Sequence, residues 1–231
     1  MEISIVIPAY NEEERLPTTL RTIIDYFENL SKDYEIIVVD DGSQDKTAEI
    51  AQHFNPRVKV IKLSKNLGKG AAVREGISHA QGDFILFSDA DLSTPITEFH
   101  KLQESLENGS HIAIGSRAID SSLIKVHQPF YREFMGKTFN KIVRALVLRG
   151  IHDTQCGFKM FKKSVAKQIF SLAKIDGFGF DVEILYLAHK MNFKIAEIPV
   201  EWRNDTKSKI SPVYDSLKMF FEILKIRSLH R

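Results

Sequence analysis

The chain has 231 residues, 43% of them hydrophobic and 27% charged, and a formal net charge of only +2. That length is enough for one large domain with a substantial core, and the balanced charge argues against a chain-wide basic field for nucleic acid. One cysteine, Cys156, excludes an internal disulfide and suits a reducing compartment.

Met1-Glu2 leads straight into an apolar run without the basic and apolar regions of a signal peptide, so none is expected. No run reaches the roughly 18 apolar residues of a bilayer span. The first hundred residues alternate β-rich runs with amphipathic segments, the pattern of a parallel sheet covered by helices. In chain order, strands are predicted over 3–7, 35–39, 58–63, 84–88 and 112–115, and helices over 13–30, 45–54, 70–80 and 95–107. Two more amphipathic helices are predicted over 131–148 and 212–229. The first carries Phe134, Met135, Phe139, Ile142, Val143, Leu146 and Val147 near one side; the second interleaves Leu217, Phe220, Phe221, Leu224 and Ile226 with Lys218, Lys225 and Arg227. Residues 203–231 hold seven Lys or Arg against three Asp or Glu, a local bias that suits an anionic membrane surface. The same pattern also serves two helices that cover the core and keep their charges in water. The fold class is α/β: a mostly parallel, Rossmann-like sheet flanked by helices, with C-terminal amphipathic helices.

Ligands of such sheets bind beyond the carboxyl ends of the strands. Those ends read Pro8-Ala9-Tyr10-Asn11-Glu12, Asp40-Asp41-Gly42-Ser43, Asn66-Leu67-Gly68-Lys69-Gly70 and Asp89-Ala90-Asp91. Asp89 and Asp91, one small residue apart, can face one hard divalent cation that in turn holds a diphosphate. Asp41-Gly42-Ser43 has the composition of a turn and helix cap, yet a carboxylate there can also accept the N3–H of uracil or the N1–H of guanine. Gly68-Lys69-Gly70 lacks the upstream glycine and following Ser or Thr of a P-loop. It offers backbone N–H groups, a helix N-terminus and a lysine to anionic oxygens. Together the four ends point to nucleotide binding. Cys156, with only His152 nearby in sequence, reads as a small packing residue. The eight histidines include no pair spaced for zinc on one helical face.

Ile5-Val6-Ile7-Pro8-Ala9-Tyr10-Asn11-Glu12, Val38-Val39-Asp40-Asp41-Gly42-Ser43 and Asp89-Ala90-Asp91, in that order, resemble the inverting GT-A glycosyltransferases of family 2. Gly115-Ser116-Arg117, Asp153-Thr154-Gln155-Cys156-Gly157-Phe158-Lys159 and Phe180-Asp181-Val182-Glu183-Ile184-Leu185-Tyr186 resemble its polyprenyl-phosphate branch, the dolichyl-phosphate β-glucosyltransferases more than the mannose synthases. The resemblance implies one GT-A domain over 1–231, with a nucleotide-sugar half at 1–117 and an acceptor half with membrane-facing helices at 118–231. It implies that Pro8, Tyr10 and Glu12 line the base and ribose pocket, Asp41 takes the base N–H, and Lys69 approaches the nucleotide. Asp89 would face the ribose and metal side and Asp91 would ligate Mg²⁺ or Mn²⁺, the two acids forming the catalytic and metal pair. Ser93 stands where the mannose-synthase branch often has a metal-assisting glutamine, and Lys207 where relatives usually carry glycine before Ser208-Lys209.

A sugar hydroxyl must lose a proton as it attacks, whereas a lipid monophosphate is already an anionic nucleophile near neutral pH. Cations must then hold that phosphate, and the resemblance nominates Arg117, Arg132 and Lys209; arginine's fork suits phosphate oxygens. Asp181 and Glu183 are either a base pair of the hydroxyl-acceptor type or positioning residues, the latter preferred because two acids repel an incoming phosphate. The implied reaction moves glucose from UDP-glucose to polyprenyl or dolichyl phosphate with inversion, at the cytoplasmic face of a membrane to which the chain attaches peripherally, with room for a membrane-protein partner. GDP-mannose-dependent transfer, a hydroxyl acceptor, and an inactive nucleotide-binding scaffold stay open as alternatives, since Tyr10 and Asp41 serve either nucleobase.

Overall fold

The computed structural model describes residues 1–126, 148, 150–204 and 212–231, with the side chains of 212–216 left aside. The predicted helix over 131–148, with Arg132, and the loop carrying Lys207 and Lys209 lie outside the described residues, Leu148 excepted.

Strand β1 (Ile3–Ala9) alternates its side chains between two layers: Ile3, Ile5 and Ile7 join one core cluster and Val6 the other. Helix α1 (Leu16–Asn29) buries Leu16, Leu20, Ile23 and Phe27 at helical spacing, and Pro17 sits in its first turn, where the missing N–H costs nothing. Then follow β2 (Tyr34–Asp40), α2 (Thr47–Gln52), β3 (Val58–Lys62), α3 (Lys69–His79), β4 (Phe84–Ser88), α4 (Phe99–Glu107) after a short 3₁₀ turn, and β5 (Ile112–Ser116). The chain continues through β6 (Ile124–Val126), β7 (Phe158–Lys162), α5 (Lys163–Leu172), α6 (Phe180–Lys190), β8 (Ile195–Pro199), β9 (Trp202–Arg203) and α7 (Pro212–Leu229).

Among the described residues seven strands form one sheet in the order β3-β2-β1-β4-β7-β5-β8, with β6 and β9 pairing apart from it. The first four strands are parallel, as predicted. Strand β7 runs antiparallel between β4 and β5, with Phe87 opposite Lys159 and Ile112 opposite Phe161. Neither β7 nor β8 follows from the periodicity of the first hundred residues; both come from the second half of the chain and complete the same sheet. One face is covered by α1 and α4, the other by α3, α5, α6 and α7. Helix α7 buries Met219, Ile223 and Ile226 and leaves Leu217, Phe221 and Leu224 exposed on its far side. Among the described residues no helix is long and apolar enough to cross a membrane.

Candidate active site

Beyond β1 the chain steps outward to β2 and β3, then returns to place β4 on the other side of β1. The crevice between the carboxyl ends of β1 and β4 is the switch point at which doubly wound sheets bind ligands. A cavity of about 340 Å³ opens there, lined by Pro8, Tyr10, Glu12, Asp41, Lys69, Asp89 and Asp91, and also by Arg15, Asn66 and Phe178. Four strand ends separated by up to eighty residues thus meet around one space.

Asp89 is fixed from two sides. Its amide donates to the Gly157 carbonyl at 3.1 Å, and its Oδ1 accepts from Lys69 Nζ at 2.7 Å. A methyl group at Gly157, just before β7, would fall 1.9 Å from Asp89 Oδ2, so any side chain there would displace this carboxylate. Asp91 Oδ1 accepts from the Ser93 amide at 2.9 Å. Burial, and then the Asp89 charge, pushes the Asp91 carboxyl above its ordinary pKa. Lys69 is raised as well: burial works against its charge, but Asp89 and Asp181 outweigh it.

Asp41 lines the cavity while each of its oxygens accepts a backbone amide, Oδ1 from Leu67 at 2.7 Å and Oδ2 from Gly68 at 2.9 Å. Burial nevertheless raises its pKa. Each oxygen has a second lone pair for a base N–H. The expectation of free amides around Lys69 needs correction. Leu67 and Gly68 spend theirs on Asp41, while Gly70 and Ala71 donate to the Asp176 carbonyl at 2.7 and 3.2 Å. The lysine ammonium, rather than the helix N-terminus, is the group this segment turns to the cavity. Glu12 is gripped by Arg15, whose Nε and Nη2 each lie 2.6 Å from a carboxylate oxygen.

Arg117 does not line the described cavity wall. Its backbone N, Nε and Nη2 bind Asp153 at 3.0, 2.7 and 2.8 Å, and its guanidinium lies 5.4 Å from the Trp202 ring centroid. Burial opposes ionisation of Asp153, yet Arg117 holds its pKa down at about 2. Asp181 and Glu183 part company. Asp181, in the first turn of α6, binds the fully buried Lys159, whereas Glu183 accepts from the Lys174 and Ile175 amides at 2.9 Å and pairs with His230 Nε2 at 2.6 Å. Two residues apart on a helix they face different ways, so they do not form a base pair. Cys156 is buried in the core, and burial pushes its thiol up to about 11, which leaves it a packing residue.

Arg15, Phe178, Gly157 and Lys159 were not anticipated. Pro17 was the available signal for Arg15: a proline in the first turn starts the helix at Leu16 and leaves Arg15 in the turn beyond β1. For Phe178 the signal was its two flanking glycines. Those glycines make room for Glu222, which would lie 2.2 Å from a methyl group at Gly177 and accepts the Gly179 amide at 2.9 Å.

Among the described residues no group of three His, Cys, Asp or Glu side chains converges. Asp89 and Asp91 offer two carboxylates, with the Lys69 ammonium on Asp89. Burial, and then the Asp89 charge, disfavour a second negative charge at Asp91. That donor set fits a hard, oxygen-loving divalent cation completing its shell with diphosphate and water.

The sheet order and the acid-lined crevice at its switch point are those of the GT-A fold. The chain belongs to glycosyl transferase family 2, whose model matches residues 4–170. It is 38% identical to the dolichyl-phosphate beta-glucosyltransferase of Dictyostelium discoideum over 97% of this chain and 73% of that protein. It is also 38% identical to the dolichyl-phosphate beta-glucosyltransferase of Homo sapiens, over 98% of this chain and 75% of that one. Among solved structures, glucosyl-3-phosphoglycerate synthase from Mycobacterium tuberculosis, in complex with Mn²⁺, UDP-glucose and phosphoglyceric acid, matches with a TM-score of 0.66 at 19% identity, covering 98% of this chain and 78% of that one.

Proposed function

We propose that this glycosyltransferase moves glucose from UDP-glucose to a polyprenyl phosphate such as dolichyl phosphate, with inversion, at the cytoplasmic face of a membrane. The observation that carries the reading is identity of 35–38%, over 97% of this chain, to dolichyl-phosphate beta-glucosyltransferases. The cavity supports the donor half of the reading. Pro8, Tyr10 and Asp41 are read as the base pocket, Glu12 with Arg15 as its ribose wall, and Lys69, Asp89 and Asp91 as the diphosphate end. A Mg²⁺ or Mn²⁺ ion held by Asp89 and Asp91 supplies positive charge to a departing diphosphate.

In the proposed step a lipid phosphate oxygen forms a bond to the anomeric carbon as the bond from that carbon to the UDP oxygen breaks. The bonding pair leaves with UDP, and no proton needs to move. The absence of a paired base in α6 suits such an acceptor: Asp181 is tied to Lys159, and Glu183 faces elsewhere. Lys69 faces the diphosphate end and offsets its charge. Arg132 and Lys209 are the proposed phosphate cations; Arg117 would contribute position and field with its fork already on Asp153. Helix α7 is read as the peripheral membrane contact, its exposed Leu217, Phe221 and Leu224 flanked by Lys218, Lys225 and Arg227.

The test is a donor screen with purified protein, Mg²⁺ and a short polyprenyl phosphate, reading products by mass. A hexosyl lipid phosphate formed from UDP-glucose in preference to GDP-mannose is expected. Product from GDP-mannose alone, or nucleotide release only with a hydroxyl acceptor, overturns the assignment.

A further inference from the structure

We propose that Lys69 is a displaceable occupant of the metal position: its ammonium holds Asp89 while no divalent cation is bound, and passes to the buried Asp181–Lys159 pair when one arrives. The inference rests on the reading that Asp89 and Asp91 take a metal.

Asp89 has two oxygens, and they are not equivalent. Oδ2 lies tightest on Gly157, closer than any side chain there would permit, while Oδ1 accepts from Lys69 Nζ at 2.7 Å. An ion approaching Asp89 from the cavity therefore meets a lone-pair region in which an ammonium already sits. Two cations competing for one carboxylate oxygen in a mostly buried crevice repel strongly, so tight binding of the second requires the first to move.

A second berth lies along the same wall. The Lys69 ammonium is 5.3 Å from the centroid of the Phe87 ring, and Lys159 Nζ is 5.8 Å from that same centroid. Asp181 is bonded to Lys159, and its charge acts on Lys69 as well. Lys159 has no exposure at all and also donates to the Cys156 carbonyl at 2.6 Å, so Asp181 is held by a partner that cannot swing out to solvent. Burial raises the Asp181 pKa, while the charges of Lys159 and Lys69 both act to lower it, so Asp181 sits within the electrostatic reach of each ammonium. An ammonium sliding from Asp89 to Asp181 across the Phe87 face keeps a negative partner and a π face throughout.

The backbone need not move for this. The first turn of α3 is tied down by the Gly70 and Ala71 amides on the Asp176 carbonyl, and a methyl group at Gly70 would lie 2.7 Å from Phe180 Cβ, so α3 and α6 touch at their N-termini. The four-carbon stem of Lys69 takes up the displacement. Before metal binds, Lys69 offsets the repulsion between Asp89 and Asp91; afterwards it stays beside the diphosphate end, and Asp181 and Lys159 act as its positioning pair.

The test measures binding of Mn²⁺ alone, without nucleotide, by the loss of the free-ion EPR signal. With Lys69 holding Asp89 most of the time, Lys69→Met should bind Mn²⁺ roughly tenfold more tightly than the parent, because the competing state is gone. Lys69→Gln, which keeps a polar head in the cavity, should change affinity in the same direction and serves if the Met variant does not fold. Asp181→Asn should weaken Mn²⁺ binding several-fold when Lys69 is present and leave it unchanged in Lys69→Met, since the berth matters only to the lysine. Equal or weaker Mn²⁺ binding by both Lys69 variants, or the same Asp181→Asn effect in both backgrounds, overturns the handover. Asp89→Asn separates this from the metal reading: if it leaves Mn²⁺ affinity unchanged, the metal assignment falls and the handover with it, whereas loss of affinity there with unaltered Lys69 variants refutes the handover alone.

Discussion

Replacing Arg117 by methionine separates two roles for one guanidinium: a clamp on Asp153 or a ligand for the acceptor phosphate. Asp153 is 1% exposed and accepts two side-chain bonds from Arg117. Removing one partner of a buried ion pair costs about 3–5 kcal/mol. Asp153 would keep the amides of Arg117 and Gln155, and the Arg117 side chain is itself 27% exposed, so about 2–4 kcal/mol is expected. The depressed Asp153 pKa, about 2 against an ordinary 3.8, corresponds to roughly 2–3 kcal/mol and agrees. The sign follows from that depression. A folded-state pKa below the unfolded one contributes stability that is fully present above about pH 4 and is lost as pH falls towards 2. Urea unfolding followed by circular dichroism should therefore separate parent and Arg117→Met by the full amount at pH 7, with the gap closing between pH 4 and 2. An unchanged unfolding midpoint at pH 7, accompanied by weakened binding of polyprenyl phosphate, would refute the clamp and give Arg117 to the acceptor.

Three further outcomes are expected. Asp91→Asn removes a carboxylate that burial and Asp89 already disfavour, so its melting temperature should equal or exceed the parent's while glycosyl transfer falls by about 10²–10⁴-fold; near-normal turnover would take Asp91 out of the reaction. Gly157→Ala puts a methyl group where Asp89 Oδ2 now lies. It should weaken Mn²⁺ and donor binding at least roughly tenfold with native circular dichroism, and unchanged affinity would mean that β7 does not set the Asp89 rotamer. Phe221→Glu alters a side chain 58% exposed on α7; flotation with anionic vesicles should recover several-fold less protein than the parent, at equal thermal stability, and equal recovery would remove α7 from membrane contact.

The first hundred residues were legible because each of their elements carries its own period. β1 through β5 and the helices between them begin and end within four residues of their predicted bounds. The central parallel strands β1, β2 and β4 are buried on both faces and read as largely apolar runs. Strand β7 is different. Phe158-Lys159-Met160-Phe161-Lys162 has a lysine as its second residue, which by composition belongs in water, and nothing local says that it inserts antiparallel between β4 and β5. Its place is fixed by partners forty-five to seventy-eight residues upstream.

The acids and Lys69 were legible for a related reason: strand-end motifs announce which residues a parallel sheet presents at one edge. What was not legible is which of those charges are already spoken for. Arg117 reads as a free phosphate cation until Asp153, thirty-six residues on, takes its fork; Asp181 and Glu183 read as positioning residues whose partners only the structure names, Lys159 for one and His230 for the other. Lys159 itself is tolerable in the core only because Asp181 and the Cys156 carbonyl satisfy it. Neutralising Asp181 would thus leave a buried ammonium short of its counter-charge and, on the proposed reading, a lysine at the metal position with nowhere to go. Stability and metal affinity should fail together at that residue but separately at Asp91, and this distinguishes a charge that holds the site in place from one that meets the ligand.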